Sequence, residues 1–80
     1  MKNDLKRAVQ LALDDSWDEA HQLVQQYETD PSACWIHAVL HKIEGDESNS
    51  RYWYRRAGKL EHFGDEPKAE LQQISQQLAE

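Results

Sequence analysis

Pro31-Ser32-Ala33-Cys34-Trp35-Ile36-His37-Ala38-Val39-Leu40-His41-Lys42-Ile43-Glu44 is the stretch that decides how this chain folds. It opens with a proline at a first helical position, behind Asp30 as N-cap, and stops at Gly45, a residue suited to the left-handed conformation that closes helices. Between those signals Ala33, Trp35, Ile36, Ala38, Val39, Leu40 and Ile43 run round most of the circumference. A helix with so little polar face is contacted from several sides, so 31–44 is expected at the centre of an all-α fold.

Working outward, Leu5, Ala8, Val9, Ala12 and Leu13 repeat with the spacing of one helix face, and Asn3 or Asp4 is placed to cap its start. Ser16-Trp17-Asp18-Glu19 has the form of a capping box, and the helix behind it turns Trp17, Ala20, Leu23, Val24 and Tyr27 inward. On the far side, Asp46 or Ser48 starts a helix carrying Ser50, Trp53, Tyr54 and Ala57, which ends near Gly58. Lys59 to Gly64 reads as a loop anchored by Leu60 and Phe63. A last helix opens at Asp65-Glu66-Pro67 with a narrow stripe of Leu71, Ile74 and Leu78. The expected helices thus cover about 4–13, 17–28, 31–44, 47–57 and 66–79 within one domain spanning 1–80.

A shift of 30 residues places Leu5 on Trp35, Ala8 on Ala38, Val9 on Val39 and Leu13 on Ile43. It also places Ala20 on Ser50, Leu23 on Trp53 and Tyr27 on Ala57, and it aligns the two short turns. Two related antiparallel helical hairpins are therefore expected, with the C-terminal helix as a cap over apolar surface that two hairpins leave open. The shift also isolates an asymmetry: His37 and His41 fall opposite Arg7 and Leu11.

Gly45-Asp46 with Tyr52-Trp53-Tyr54-Arg55-Arg56-Ala57-Gly58 is similar to the second helix of tetratricopeptide and Sel-like repeats. Those repeats space a small residue, an aromatic and an alanine so that neighbouring helices approach closely. The likeness covers one helix well and departs in repeat length, about 30 residues against the usual 34. About half the chain also resembles a family of short bacterial all-helical proteins without an assigned activity. The matching elements are Trp17-Asp18-Glu19-Ala20-His21, Trp35-Ile36-His37-Ala38-Val39-Leu40-His41, Glu44-Gly45-Asp46 and Tyr52 to Gly58. That resemblance implies the fold and brings no substrate or cofactor with it.

Composition narrows the function classes. The net charge of −6 disfavours nucleic acid as a partner, and no apolar run approaches the roughly 20 residues that span a bilayer. The start of the chain is charged throughout and lacks the form of a signal peptide. Cys34 is the only cysteine, which excludes an intrachain disulfide and makes the cytoplasm the expected compartment.

Two constellations carry chemistry. His37, His41 and Glu44 fall at i, i+4 and i+7 on one stripe, and antiparallel packing brings His21 towards them. Imidazoles with a carboxylate suit zinc or another divalent transition metal, although the His-Glu-x-x-His pattern is missing. Histidines bordering a core and bonding to neighbouring polar groups are the leading reading of the same residues; acid–base catalysis comes third. The second constellation is Arg51, Tyr52, Arg55, Arg56 and Lys59, a basic aromatic face fit for an acidic peptide or a phosphate. The bland reading is a solvated face whose cations oppose the helix dipole.

The expectation that follows is a non-enzymatic helical-repeat module that binds another protein or peptide, or a second copy of itself, with no cofactor. The alternative is a metal-binding protein, either a sensor or a small hydrolase, using His21, His37, His41 and Glu44.

Overall fold

The computed structural model describes residues 1–80. Five α-helices follow one another without strands: α1 (Lys2–Leu13), α2 (Trp17–Val24), α3 (Pro31–Glu44), α4 (Glu47–Ala57) and α5 (Pro67–Ala79). Single 3₁₀ turns extend α2 through Gln25–Tyr27 and bridge to α5 at Leu60–His62. The helices α1 and α2 form one antiparallel hairpin and α3 and α4 the other, while α5 lies against α1 and α3.

α3 is the axle. Every residue from Ala33 to His41 is buried, because helices or loops cover it on all sides. Its start is capped as its sequence asks, with the Asp30 carboxylate accepting from the Ala33 N–H at 2.9 Å. Ile43 departs from the expectation that α3 is apolar all round: it is 44% exposed, since the last turn projects beyond its neighbours.

The 30-residue repeat extends to the backbone hydrogen bonds of the turns. After α3, Gly45 N–H donates to the Lys42 carbonyl and Asp46 N–H to that of His41, the pair of bonds that closes a helix on a left-handed residue. After α1, Asp15 N–H donates to Ala12 and Ser16 N–H to Leu11, the same two bonds 30 positions earlier. Asp15 and Gly45 both take positive φ, 64° and 88°. The buried faces match as well: Leu5 and Trp35, Ala8 and Ala38, Val9 and Val39, Ala20 and Ser50 are all buried pairs.

Three local expectations give way. Ser16 precedes α2 without a side-chain cap bond, so the capping box does not close. α1 begins earlier than expected, with Met1 at its N-cap, and Asp4 accepts from the Tyr27 hydroxyl instead of capping. That bond ties α1 to the end of the first hairpin, and it raises the Tyr27 pKa by stabilising the protonated phenol. Regular α geometry in the second helix stops at Val24, short of the expected 28.

The stripe of α5 contains a charge. Leu71, Ile74 and Leu78 are buried as their spacing requires, and so is Glu70, at 1% exposure. Its carboxylate accepts from Trp35 Nε1 (2.7 Å), the Tyr54 hydroxyl (2.7 and 2.8 Å) and Lys42 Nζ (2.7 Å). Lys42 donates further to the carbonyls of His62, Phe63 and Asp65. A buried carboxylate is tolerable only when paired and fully hydrogen-bonded, and this network meets that condition while fastening α5 and its connecting loop to the second hairpin. Burial and the Glu70 carboxylate together push the Tyr54 hydroxyl far above its ordinary pKa, so it acts as a fixed donor. No helix is long and apolar enough to cross a membrane.

Candidate metal centre

Helix geometry places His37 and His41 on one stripe of α3, one turn apart, with their rings stacked at 4.8 Å between centroids. α2 brings the third imidazole. Trp17 opens that helix and donates its indole N–H to the Leu40 carbonyl at 2.6 Å, which fixes the register of α2 against α3. One turn later His21 stacks on Trp17 (4.6 Å, 20°) and meets both α3 histidines edge-on, at 4.7 and 5.2 Å. On the opposite side Trp53 of α4 lies flat against His37, 4.0 Å away. Two indoles therefore wall the three imidazoles in.

The nitrogens converge. Nε2 of His21 and Nε2 of His37 are 3.0 Å apart, and one ligand atom from each of His21, His37 and His41 lies within 4.8 Å of the others. In the metal-free chain a single shared proton joins the first two rings. Its transfer to an Nδ1 nitrogen leaves two Nε2 lone pairs aimed at one point, with both rings still neutral.

The electrostatics favour the neutral form of His37 and His21. His37, 3% exposed, has its pKa pushed down to about 3 by burial first, and then by repulsion from His41 and His21. His21 is lowered by burial and by His41, while Glu44 and Asp18 act in the opposite direction. Neutral imidazole is the form that ligates metals.

Glu44 stands behind this cluster. Its carboxylate accepts from Nδ1 of His41 at 2.5 Å, and it groups with His41 and Asp46 instead of with His21 and His37. Of the four residues expected to act together, the structure brings the three imidazoles to one point and sets Glu44 behind one of them. With the Nδ1 proton facing Glu44, Nε2 is the nitrogen left to ligate, the arrangement in which carboxylates support metal-bound histidines. Asn49 was not singled out by sequence reasoning; its side-chain amide lies 3.3 Å from that Nε2. Nothing in the spacing of 41 and 49 marks the pair, since it depends on how α4 crosses α3.

The donor chemistry fits a transition ion. Around a tetrahedral ion with bonds of about 2.0–2.1 Å, ligand nitrogens stand about 3.3 Å apart. The 3.0 Å gap between His21 and His37 needs only a small opening to match. Imidazoles without thiolate suit zinc, copper, nickel or iron. Cys34 takes no part: its thiol donates to the Glu28 carbonyl at the far end of α3, and burial raises its pKa. Acidic side chains crowd the two hairpin turns, with Asp14, Asp15, Asp18, Glu19, Glu44, Asp46 and Glu47 holding seven of the chain's 15 carboxylate residues and no Lys or Arg among 14–19 or 44–47. That edge attracts cations towards the histidines.

The basic aromatic face is distributed differently. Arg51 lies over Phe63 (4.7 Å), Lys59 over Trp35 (4.8 Å) and Arg56 over Trp53 (5.0 Å). Arg56 also donates to the Glu28 carbonyl and the Tyr52 hydroxyl. These cations lie over the faces of rings in the core or packed against it. Arg55 is exposed without a hydrogen bond or ion pair, and Tyr52 is 48% exposed.

Comparison of the chain with models of protein families, with curated proteins and with solved structures returned no match in any of the three.

Proposed function

We propose that this chain binds one divalent transition-metal ion, zinc being the simplest, through His21, His37 and His41, with Glu44 orienting His41. The observation that carries the reading is the convergence of three imidazoles, two of them with facing Nε2 atoms 3.0 Å apart. Bound there, an ion would join the first hairpin, through His21, to the second.

The interaction-module reading has less behind it. Arg51, Arg56 and Lys59 are engaged with rings of their own chain and Tyr52 accepts from Arg56, which leaves Arg55 as the one basic side chain of that face without a partner.

Metal analysis and zinc titration of untagged protein test the proposal. The expected result is one ion per chain and a raised thermal midpoint on loading. His21 is only half-buried, so His21→Ala keeps the fold and is expected to weaken zinc at least about 100-fold, the upper end of what supporting residues alone contribute. A stoichiometry near zero with an unmoved midpoint removes the reading.

A further inference from the structure

Three imidazoles leave one position of a tetrahedral ion unfilled, and its occupant decides what the site can do. An open position held by water belongs to hydrolytic chemistry, whereas a fourth side chain makes a closed site. Building on the three-histidine reading, we infer that Asn49 supplies the fourth ligand through its side-chain oxygen.

The case starts from His41. Glu44 takes the Nδ1 proton, so Nε2 carries the only lone pair with which His41 can ligate. Asn49 Nδ2 donates to that same lone pair at 3.3 Å. An ion arriving at His41 Nε2 displaces the amide hydrogen and meets the Asn49 side chain directly. A half-turn of the amide exchanges Nδ2 for Oδ1 in place and presents a lone pair where a donor stood, with no movement of backbone. The 3.3 Å separation is also the edge expected between two ligands of a tetrahedral ion, about 3.3 Å.

The competing side chains are committed elsewhere. Glu44 is spent on Nδ1 of His41, and Asp46 caps α4 by accepting from the Asn49 N–H. That cap anchors Asn49 in the first turn of α4, so the amide is aimed by a fixed helix end. The ligand set then draws on α2, α3 and α4 and closes around the ion. Such a site stores or senses a metal, or holds the hairpins together; it offers no position to a substrate water.

Cobalt(II) loading of the full chain, followed by visible absorption with and without added azide, tests this. The wild type is expected to give the intense bands of a four-coordinate ion, unmoved by azide. Asn49→Ala is expected to hold cobalt about 10–100-fold more weakly and to shift its bands when azide enters the opened position. Asn49→Asp, nearly the same shape with an oxygen in either orientation, is expected to bind at least as tightly as wild type and to stay closed to azide. It also serves if the alanine variant loses its fold. Azide shifting the wild-type bands, or Asn49→Ala binding cobalt like the wild type, overturns the Asn49 assignment while the three-histidine site stands. A wild-type chain that takes up no cobalt overturns both.

Discussion

The two hairpins share a backbone and differ in what they bury. Their turns use the same pair of closing hydrogen bonds 30 residues apart, and Ala8, Val9 and Ala20 are buried as Ala38, Val39 and Ser50 are. Yet the polar chemistry is one-sided. Arg7 and Leu11 line a groove of about 200 Å³ with Glu19, Gln22, Leu23 and Gln26, open to solvent. Their counterparts His37 and His41 are buried, because α2 with Trp17 and His21 covers that face of α3. Ala12 corresponds to Lys42, which reaches Glu70. The repeated geometry is thus insensitive to what stands at positions 7, 11 and 12, and at the 7/37 and 11/41 pairs the covered copy is the one that holds polar groups in fixed relation. Shielding by a neighbouring hairpin, more than sequence, separates a solvated groove from a candidate site.

Making position 42 like its counterpart breaks this difference most severely. Lys42→Ala leaves the Glu70 carboxylate buried without its cation and releases three loop carbonyls. Loss of one partner of a buried pair costs about 3–5 kcal/mol. Against a total stability of roughly 4–12 kcal/mol for a chain of this size, that is a quarter of the stability or more, and the urea midpoint of the variant is expected to fall by at least about 1 M. A urea midpoint within about 0.5 M of wild type, corresponding to about 1 kcal/mol or less, contradicts the role given to the network.

The histidines give the next largest effect, read through pH. His37 is held near pKa 3 in the folded, metal-free chain against about 6.5 when unfolded. Below pH 6.5 the unfolded chain therefore takes up a proton that the folded chain refuses. Stability from this group is full above pH 6.5 and falls with pH, by up to about 1.4 kcal/mol per unit, until the folded pKa is reached. His21, lowered in the same direction, adds to the slope. Urea midpoints in chelator at pH 7, 6 and 5 check it, the range above most carboxylate titration. His37→Phe is expected to flatten the profile, and Arg7→His, at the exposed counterpart, to leave it unchanged. Equal slopes in wild type and His37→Phe would falsify the burial argument.

These effects also mark how far the chain was legible. The all-helical fold and the central place of α3 follow from an apolar circumference between Asp30-Pro31 and Gly45, signals that are local and strong. The convergence of His21 on α3 was readable only as a direction of approach, because the register that sets the 3.0 Å gap comes from the Trp17 bond to the Leu40 carbonyl. Glu70 had a usable signal: it stands on the stripe of Leu71, Ile74 and Leu78, where a charge needs a buried partner. Lys42 completes that signal, since the 30-residue shift sets it on the buried Ala12. Asn49 had none, nor did the commitment of Arg51, Arg56 and Lys59 to rings, because both depend on tertiary crossings. Ser16-x-x-Glu19 shows the reverse case, a motif present in sequence whose side-chain bond does not form.

The turns offer a smaller test of equivalence. Gly45 and Asp15 hold the same left-handed position, and a Cβ added to Gly45 meets nothing within 4 Å. The cost of Gly45→Ala is therefore conformational alone, about 1–2 kcal/mol. Asp15→Gly is expected to gain up to about 1 kcal/mol, since aspartate tolerates this region only partly. Opposite signs at the two turns, measured by thermal midpoint, sharpen the match. A gain at both positions, or a loss at both, dissolves it.

The finest distinction lies at positions 20 and 50, both fully buried, one Ala and one Ser. The Ser50 hydroxyl donates to the Ala38 carbonyl at 2.8 Å and so pins α4 to α3. Ser50→Ala removes that donor, but the carbonyl belongs to the interior of a helix, so nothing buried is orphaned. The expected loss is about 0.5–1 kcal/mol, the net worth of a neutral hydrogen bond. Ala20→Ser asks the complementary question. If the hairpins superimpose at the level of side-chain packing, the new hydroxyl faces the carbonyl of Ala8, the counterpart of Ala38, and finds an acceptor there. The variant then costs less than about 1 kcal/mol. If the match stops at the backbone, the hydroxyl is buried without a partner, and the loss rises to about 1–3 kcal/mol. Because the two outcomes differ by more than the error of a urea midpoint, this substitution tells whether the first hairpin shares the packing of the second or only its path.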